Sequence, residues 1–123
     1  MIFHAIGLMS GSSLDGLDIC FVRLTETEGN WEYDWLATEC IPYSEIWQQK
    51  LRQAKLLSVP DFLKLHTEYG HFTGKLVREF LERNGKGIGP DFISAHGHTI
   101  FHEPENATTF QLGDGASIAA ETG

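Results

Sequence analysis

The stretch GLMSGSSLDGLDICF, Gly7 to Phe21, sets glycine, serine and aspartate between two apolar runs. Three chemistries use such residues: a tight hairpin turn, the seat of a serine nucleophile, and a cradle for phosphate. A cradle needs donors that approach an anion closely, and Gly11 and Gly16 let backbone N–H groups turn toward it without a Cβ in the way. Ser10, Ser12 and Ser13 add hydroxyl donors, and Asp15 and Asp18 are placed to hold a magnesium ion through water. A nucleophile elbow requires G-x-S-x-G on a strand-to-helix turn; here the spacing is wrong and a strand follows. A Walker loop is also excluded in its usual form, because no G-K-[ST] closes the motif and no helix follows it. Gly, Ser and Asp are equally the residues of an ordinary hairpin turn, so the residues alone leave turn and cradle open.

A second constellation is SAHGHTIFHEP, Ser94 to Pro104, in which His96, His98, His102 and Glu103 form H-x-H-x3-H-E. In an extended segment His96 and His98 fall on one face, and with His102 they make a possible ligand set for a zinc-dependent hydrolase. Gly97 and Pro104 instead suggest a loop, where neutral imidazoles and Thr99 hydrogen-bond a polar substrate. The plainest alternative makes His96 a hydrogen-bonded residue at a strand end. Gln111 and Asp114 stand in and beside a glycine-rich turn, as site residues or, for Asp114, as an Asx-type turn residue.

The elements that must position these groups follow from periodicity. Ile2 to Met9 is a short apolar run that suits a strand covered on both faces. Leu17 to Leu24 is a β-branched and aromatic strand, and Trp31 to Ile41 alternates apolar and polar residues after the Glu28-Gly29-Asn30 turn, completing a three-strand meander. Ser44 then caps a helix carrying Trp47, Leu51 and Ala54, with Lys50, Arg52 and Lys55 opposing the dipole at its C-terminal end. Ser58-Val59-Pro60-Asp61 opens a second helix whose apolar positions run from Phe62 through His66, Tyr69, Phe72, Leu76 and Phe80 to Leu81, closed by Asn84-Gly85. Gly70 and Gly74 within it predict close packing against a neighbour. His66 and His71 read as packing or surface residues, and Trp31, Trp35 and Trp47 as packing residues. The acidic group Glu26, Glu28, Glu32 and Asp34 reads as a solvated turn. After the linker Asn84 to Asp91 come strands at Phe92 to His96 and Thr108 to Leu112, and a helix begins at Ala116. The sum is one α/β domain with a mixed sheet of about five strands: an antiparallel meander, a helical crossover and two further strands.

Length and charge bound the partners. The chain has 123 residues, enough for one domain with a core, and 9 Lys plus Arg against 17 Asp plus Glu give a net charge of −8. That charge repels a phosphate backbone and argues against nucleic acid. Cys20 and Cys40 are expected as reduced core thiols, which favours the cytoplasm. No apolar run reaches the ~20 residues that cross a bilayer, so no membrane partner is expected.

GLMSGSSLDGLD resembles the first phosphate motif of the anhydro-N-acetylmuramic acid kinases, of the sugar kinase, Hsp70 and actin superfamily, with Ser12 where relatives usually have Thr. The resemblance continues in SAHGHTIFHEP and in TFQLGDGASIAAETG, Thr109 to Gly123. It implies a ribonuclease H-like, actin-like ATPase lobe over residues 1–123, the N-terminal lobe of a two-lobed sugar kinase. It further implies ATP and Mg2+ as cofactors, with Gly11, Ser12, Ser13, Leu14, Asp15, Gly16, Leu17 and Asp18 as the ATP-phosphate loop. His96, His98, Thr99, Gln111 and Asp114 fall on the sugar side; many relatives carry Gln where His98 stands. The implied reaction is phosphorylation of 1,6-anhydro-N-acetylmuramic acid with hydrolytic opening of the anhydro ring. Its catalytic base is expected beyond Gly123, in a missing C-terminal lobe, and a lobe without that partner is expected to self-associate. A non-catalytic sugar- or nucleotide-binding module is the alternative.

Overall fold

The structure, a computed structural model, describes residues 1–123. Strands β1 (Ile2–Ser10), β2 (Gly16–Thr27) and β3 (Asn30–Pro42) form the antiparallel meander. Helices α1 (Glu45–Gln53) and α2 (Val59–Asn84), joined by a 3₁₀ turn at Ala54–Leu56, carry the chain to β4 (Phe92–Glu103). A hairpin then leads to β5 (Thr108–Leu112), and α3 (Gly115–Thr122) follows. The sheet order is β3-β2-β1-β4-β5, with β4 parallel to β1 and every other neighbour antiparallel. This is the mixed five-stranded α/β sheet that the pattern predicts, and it is consistent with an actin-like ATPase lobe.

The predicted caps form. Ser44 Oγ accepts from Trp47 N at 3.3 Å and Ser58 Oγ from Asp61 N at 3.3 Å, each satisfying a backbone donor that the first turn of a helix leaves free. Pro60 sits in the first turn of α2, where its missing N–H costs nothing. Gly70 and Gly74 do admit a neighbour: a Cβ on Gly70 would stand 2.6 Å from the Asp114 carbonyl oxygen, and one on Gly74 2.8 Å from Glu121 Cβ, so α3 lies directly on α2.

The core is built from one face of the sheet. Ile6, Leu8, Leu17, Ile19 and Phe21 point toward the helices and meet Leu65, Tyr69, Val77 and Phe80 of α2. Burial of side chains this size stabilises by roughly 1.5–3 kcal/mol each. The helix face runs through Leu65, Tyr69, Thr73, Val77 and Phe80, with Phe62, Phe72, Leu76 and Leu81 packed half-buried beside it; the sequence names all of these apolar positions except Leu65 and Val77.

Three expectations about burial are corrected on the other face, which no element of the chain covers. β1 is covered on one face only: Met9 is exposed beside its β2 partner Asp18. Trp31 and Trp35, 58% and 61% exposed, are not core residues; they stand with Tyr33 on the bare face of β3, while Trp47 does pack, stacked on Phe72 at 4.3 Å. Cys40 is likewise exposed and Cys20 only half-buried; both thiols are free. Alternation identifies two faces of a strand but not which of them receives a layer.

Candidate functional site

The loop between β1 and β2 is shaped by contacts at its back. Leu14 N donates to Gly11 O at 3.2 Å, closing a turn, and Leu14 adopts a left-handed conformation (φ 61°) with its side chain buried in the core. Gln48 Nε2 donates to Leu14 O at 3.2 Å and Tyr43 N to Asp15 O at 3.1 Å, so α1 and the end of β3 hold the loop. Its front is free: Ser12 and Ser13 are exposed, and no protein acceptor takes their backbone N–H groups. A Cβ on Gly11 would find only Ser13 Oγ, at 3.8 Å.

The eight loop positions named from the sequence therefore divide. Gly11, Ser12, Ser13 and Asp15 present an open edge. Leu14 and Leu17 give their side chains to the core, and Gly16 makes room for β3, since a Cβ there would stand 2.3 Å from the Ile41 carbonyl oxygen. Asp18 lies on the bare face of the sheet, paired in register with Cys40. A hydrogen bond to Asp18, then burial and the Asp18 and Asp15 charges, push the Cys40 thiol above its usual range. Ser10, read as a phosphate donor, is instead buried with its hydroxyl engaged.

The histidines are separated by a bulge. Leu8 pairs with Ala95 and Ser10 with His98, so Met9 alone opposes both His96 and Gly97. Gly97 takes φ +77°, and a Cβ there would stand 2.5 Å from Leu112 O, so only glycine fits. The extra residue puts His98 on the helix side with Ser10 and His96 on the bare face. There His96 lines a groove of about 830 Å3 with Asp18, Cys20, Cys40 and Trp35. His102 is farther along β4, paired with Thr109. The expected common face of His96 and His98 does not form, and no three His, Cys, Asp or Glu side chains gather as a metal ligand set, which removes the zinc-hydrolase reading.

His98 ends a buried polar chain. Tyr43 OH donates to Ser10 Oγ at 2.6 Å, the Tyr43 and Tyr69 hydroxyl oxygens are 2.6 Å apart, and Ser10 Oγ is 2.8 Å from His98 Nδ1. Each hydroxyl has one proton to give. With Tyr43 donating to Ser10, Tyr69 donates to Tyr43, and Ser10 is left to donate to His98 Nδ1. Burial lowers the His98 pKa, keeping the ring neutral, and it raises both tyrosines. The remaining proton of His98 is then on Nε2.

Beside the loop, His98 and Thr99 meet Ser12 in a cleft of about 190 Å3 whose other wall is Leu51, Arg52 and Lys55. The structure thus brings the loop and two of the sugar-side residues together. Gln111 pairs with Thr99 across the strands and gives its amide to Thr109 Oγ1 at 2.8 Å. Asp114 is spent as a helix cap: its carboxylate accepts from Ser117 Oγ at 2.5 Å and Ser117 N at 3.0 Å, bonds that hold its pKa below the usual value. Gly113 N donates to His66 Nδ1 at 2.9 Å, which gives His66 a structural task. Sequence reasoning assigned Arg52 and Lys55 to the helix dipole and did not place them beside the loop, where they line the cleft. The available signal was their spacing i, i+3, which puts both on one side of a turn.

Comparison with known proteins bears on this arrangement. A family model described as anhydro-N-acetylmuramic acid kinase matches residues 3–123. A protein of that name from Agrobacterium fabrum is 37% identical over 97% of this chain and 34% of its own length. Those from Pseudoalteromonas translucida and Paramagnetospirillum magneticum are 36% and 35% identical, over 96% and 97% of this chain and 32% and 33% of their own lengths. The chain spans about a third of the length of the curated relatives it matches. No helix is long and apolar enough to cross a membrane.

Proposed function

Since the chain belongs to the anhydro-N-acetylmuramic acid kinase family, we propose that it forms the ATP-phosphate loop and part of the sugar site of a kinase acting on 1,6-anhydro-N-acetylmuramic acid. The reaction is transfer of the γ-phosphoryl group of ATP to O6 of the sugar, coupled to opening of the anhydro ring by water, which yields N-acetylmuramic acid 6-phosphate and ADP. The observation that carries this reading is the open edge of the loop. The unengaged N–H groups of Ser12 and Ser13, with their hydroxyls, are donors of the kind that hold phosphate oxygens, and the space in front of Gly11 lets an anion approach them.

Phosphoryl transfer depends on positioning and on charge stabilisation, and here the fixed back of the loop supplies the positioning. Leu14 in the core and the bonds from Gln48 and Tyr43 keep the donors in place before the nucleotide arrives. Asp15 and Asp18 would hold a magnesium ion through water, as two carboxylates suffice for an ion whose other ligands are phosphate oxygens and water. Such an ion, bound with ATP, would neutralise phosphate charge. No carboxylate lines the cleft beside the loop, so the base that takes a proton from the ring-opening water is assigned to the two thirds of the relatives' length that this chain does not span.

Titration calorimetry with ATP on the native chain and on Gly11→Val tests the loop. The variant is expected to keep its circular dichroism spectrum and to lose about tenfold or more in affinity, about 1.4 kcal/mol. Equal affinity of the two proteins, or no binding by either, would overturn the assignment.

A further inference from the structure

The chain is strongly acidic, and carboxylates hold four of its nine Lys and Arg side chains, among them three of the four arginines. Of its four arginines, Arg23 pairs with Asp34, Arg78 with Glu121 and Arg83 with Glu39. Lys50, the neighbour of Arg52 on α1, pairs with Glu68 and lies over the Trp47 ring. Arg52 is the one arginine with no carboxylate, and Lys55 also has none; both face the cleft beside the phosphate loop. No Asp or Glu lines that cleft.

The third group there is His98. Its Nδ1 is occupied by Ser10, no other hydrogen bond reaches its ring, and no fully buried side-chain nitrogen or oxygen lacks a partner. Nε2 is therefore open to the cleft, and the chain Tyr69–Tyr43–Ser10 makes it the protonated nitrogen. A donor of fixed direction thus stands beside two unneutralised cations, with the Ser12 hydroxyl at the same opening. That combination matches an organic carboxylate, whose planar oxygens take a forked bond from a guanidinium and a further bond from a neutral N–H.

We infer that Arg52, Lys55 and His98 Nε2–H form the subsite for the carboxylate of the sugar acid, an inference that rests on the kinase reading above. The sugar would lie with its acid group between the 3₁₀ turn and β4, next to the loop that holds the phosphates. The arrangement supplies specificity: a neutral amino sugar of the same ring would leave Arg52 and Lys55 without their anion. His98 acts as a binding group and not as the catalytic base, since its only open nitrogen carries a proton.

Nuclear magnetic resonance titration of the 123-residue chain tests this with four probes: 1,6-anhydro-N-acetylmuramic acid, its carboxamide, inorganic phosphate and ATP. The acid is expected to shift the Arg52 Nε–H and His98 ring signals, and to bind about tenfold more weakly when Arg52 is replaced by Gln or when the carboxamide is used. Arg52→Gln is expected to leave ATP binding within about twofold. Equal binding of acid and amide, no shift at Arg52 and His98 with the acid, or inorganic phosphate moving those signals as strongly as the acid would each overturn the subsite. ATP-induced shifts confined to Gly11–Ser13 would in all those cases leave the kinase reading standing, whereas their absence would remove that reading instead.

Discussion

The meander contains two turns of opposite character. The β2–β3 turn at Glu28-Gly29 has two left-handed residues in sequence, φ 54° and 83°, as the right-handed twist of a two-residue hairpin demands, and a Cβ on Gly29 would touch nothing within 4 Å. The β1–β2 turn also has a left-handed residue, Leu14, but it is a buried leucine tied to α1 and followed by a glycine pressed against β3. The β2–β3 turn merely reverses the chain, and its residues are chosen by φ. The β1–β2 turn, the first in the chain, is held from behind by α1 and the end of β3. A left-handed leucine costs roughly 1–2 kcal/mol, and its burial offsets that by about as much or more.

This contrast can be broken at several points. Gly16→Ala should cost about 3 kcal/mol or more in urea unfolding, because the added carbon meets a main-chain carbonyl that can only move with the strand. An effect as small as that of Gly29→Ala would show that the first turn yields as easily as the second. Leu14→Ala should cost about 2 kcal/mol and loosen the loop, seen as faster amide exchange at Ser12 and Ser13. Gly29→Ala should cost about 1 kcal/mol, from φ alone, with no change in exchange at the other turn.

Acidity separates the two ends next. His98 lies under the first turn, and burial favours its neutral form. The unfolded chain therefore binds more protons as pH falls through the ordinary imidazole value of 6.5. Stability due to this group is complete above that pH and is lost below it. Comparing urea midpoints from pH 8 to pH 5, His98→Gln should lose part of the acid-side decline seen in the native chain; parallel curves would show that His98 is not held neutral. The smallest effect belongs to the plain turn: Glu28→Asn, which suits a left-handed position, should stabilise by about 0.5 kcal/mol without touching ATP affinity.

Much of the fold was legible because its signals are local. Caps at Ser44 and Ser58, the proline in the first turn of α2, the glycines that admit α3 and the alternation of the meander each depend on residues within a few positions of one another. The loop residues leave a phosphate cradle and a plain turn open, and the motif resemblance favours the cradle. Local signals also misled: alternation in Trp31–Ile41 suggests packing for Trp31 and Trp35, yet their face is the bare one. The strand at Phe92–His96 in fact runs to Glu103, because pairing with β5 carries it on past the glycine.

By itself the sequence determined which elements form, where the helices begin, and which family the chain joins, since these depend on residue type and near spacing. Only the tertiary structure decided what the site contains. Whether His96 or His98 faces the loop rests on one extra residue opposite Met9, and that bulge exists because β4 must satisfy β1 on one side and β5 on the other. Arg52 and Lys55 reach the cleft beside the loop because the crossover lays α1 and the 3₁₀ turn there, some forty residues along the chain, held by packing and by the Gln48 bond to Leu14 O. A register and a neighbour are properties of pairs of elements, and no single segment carries them.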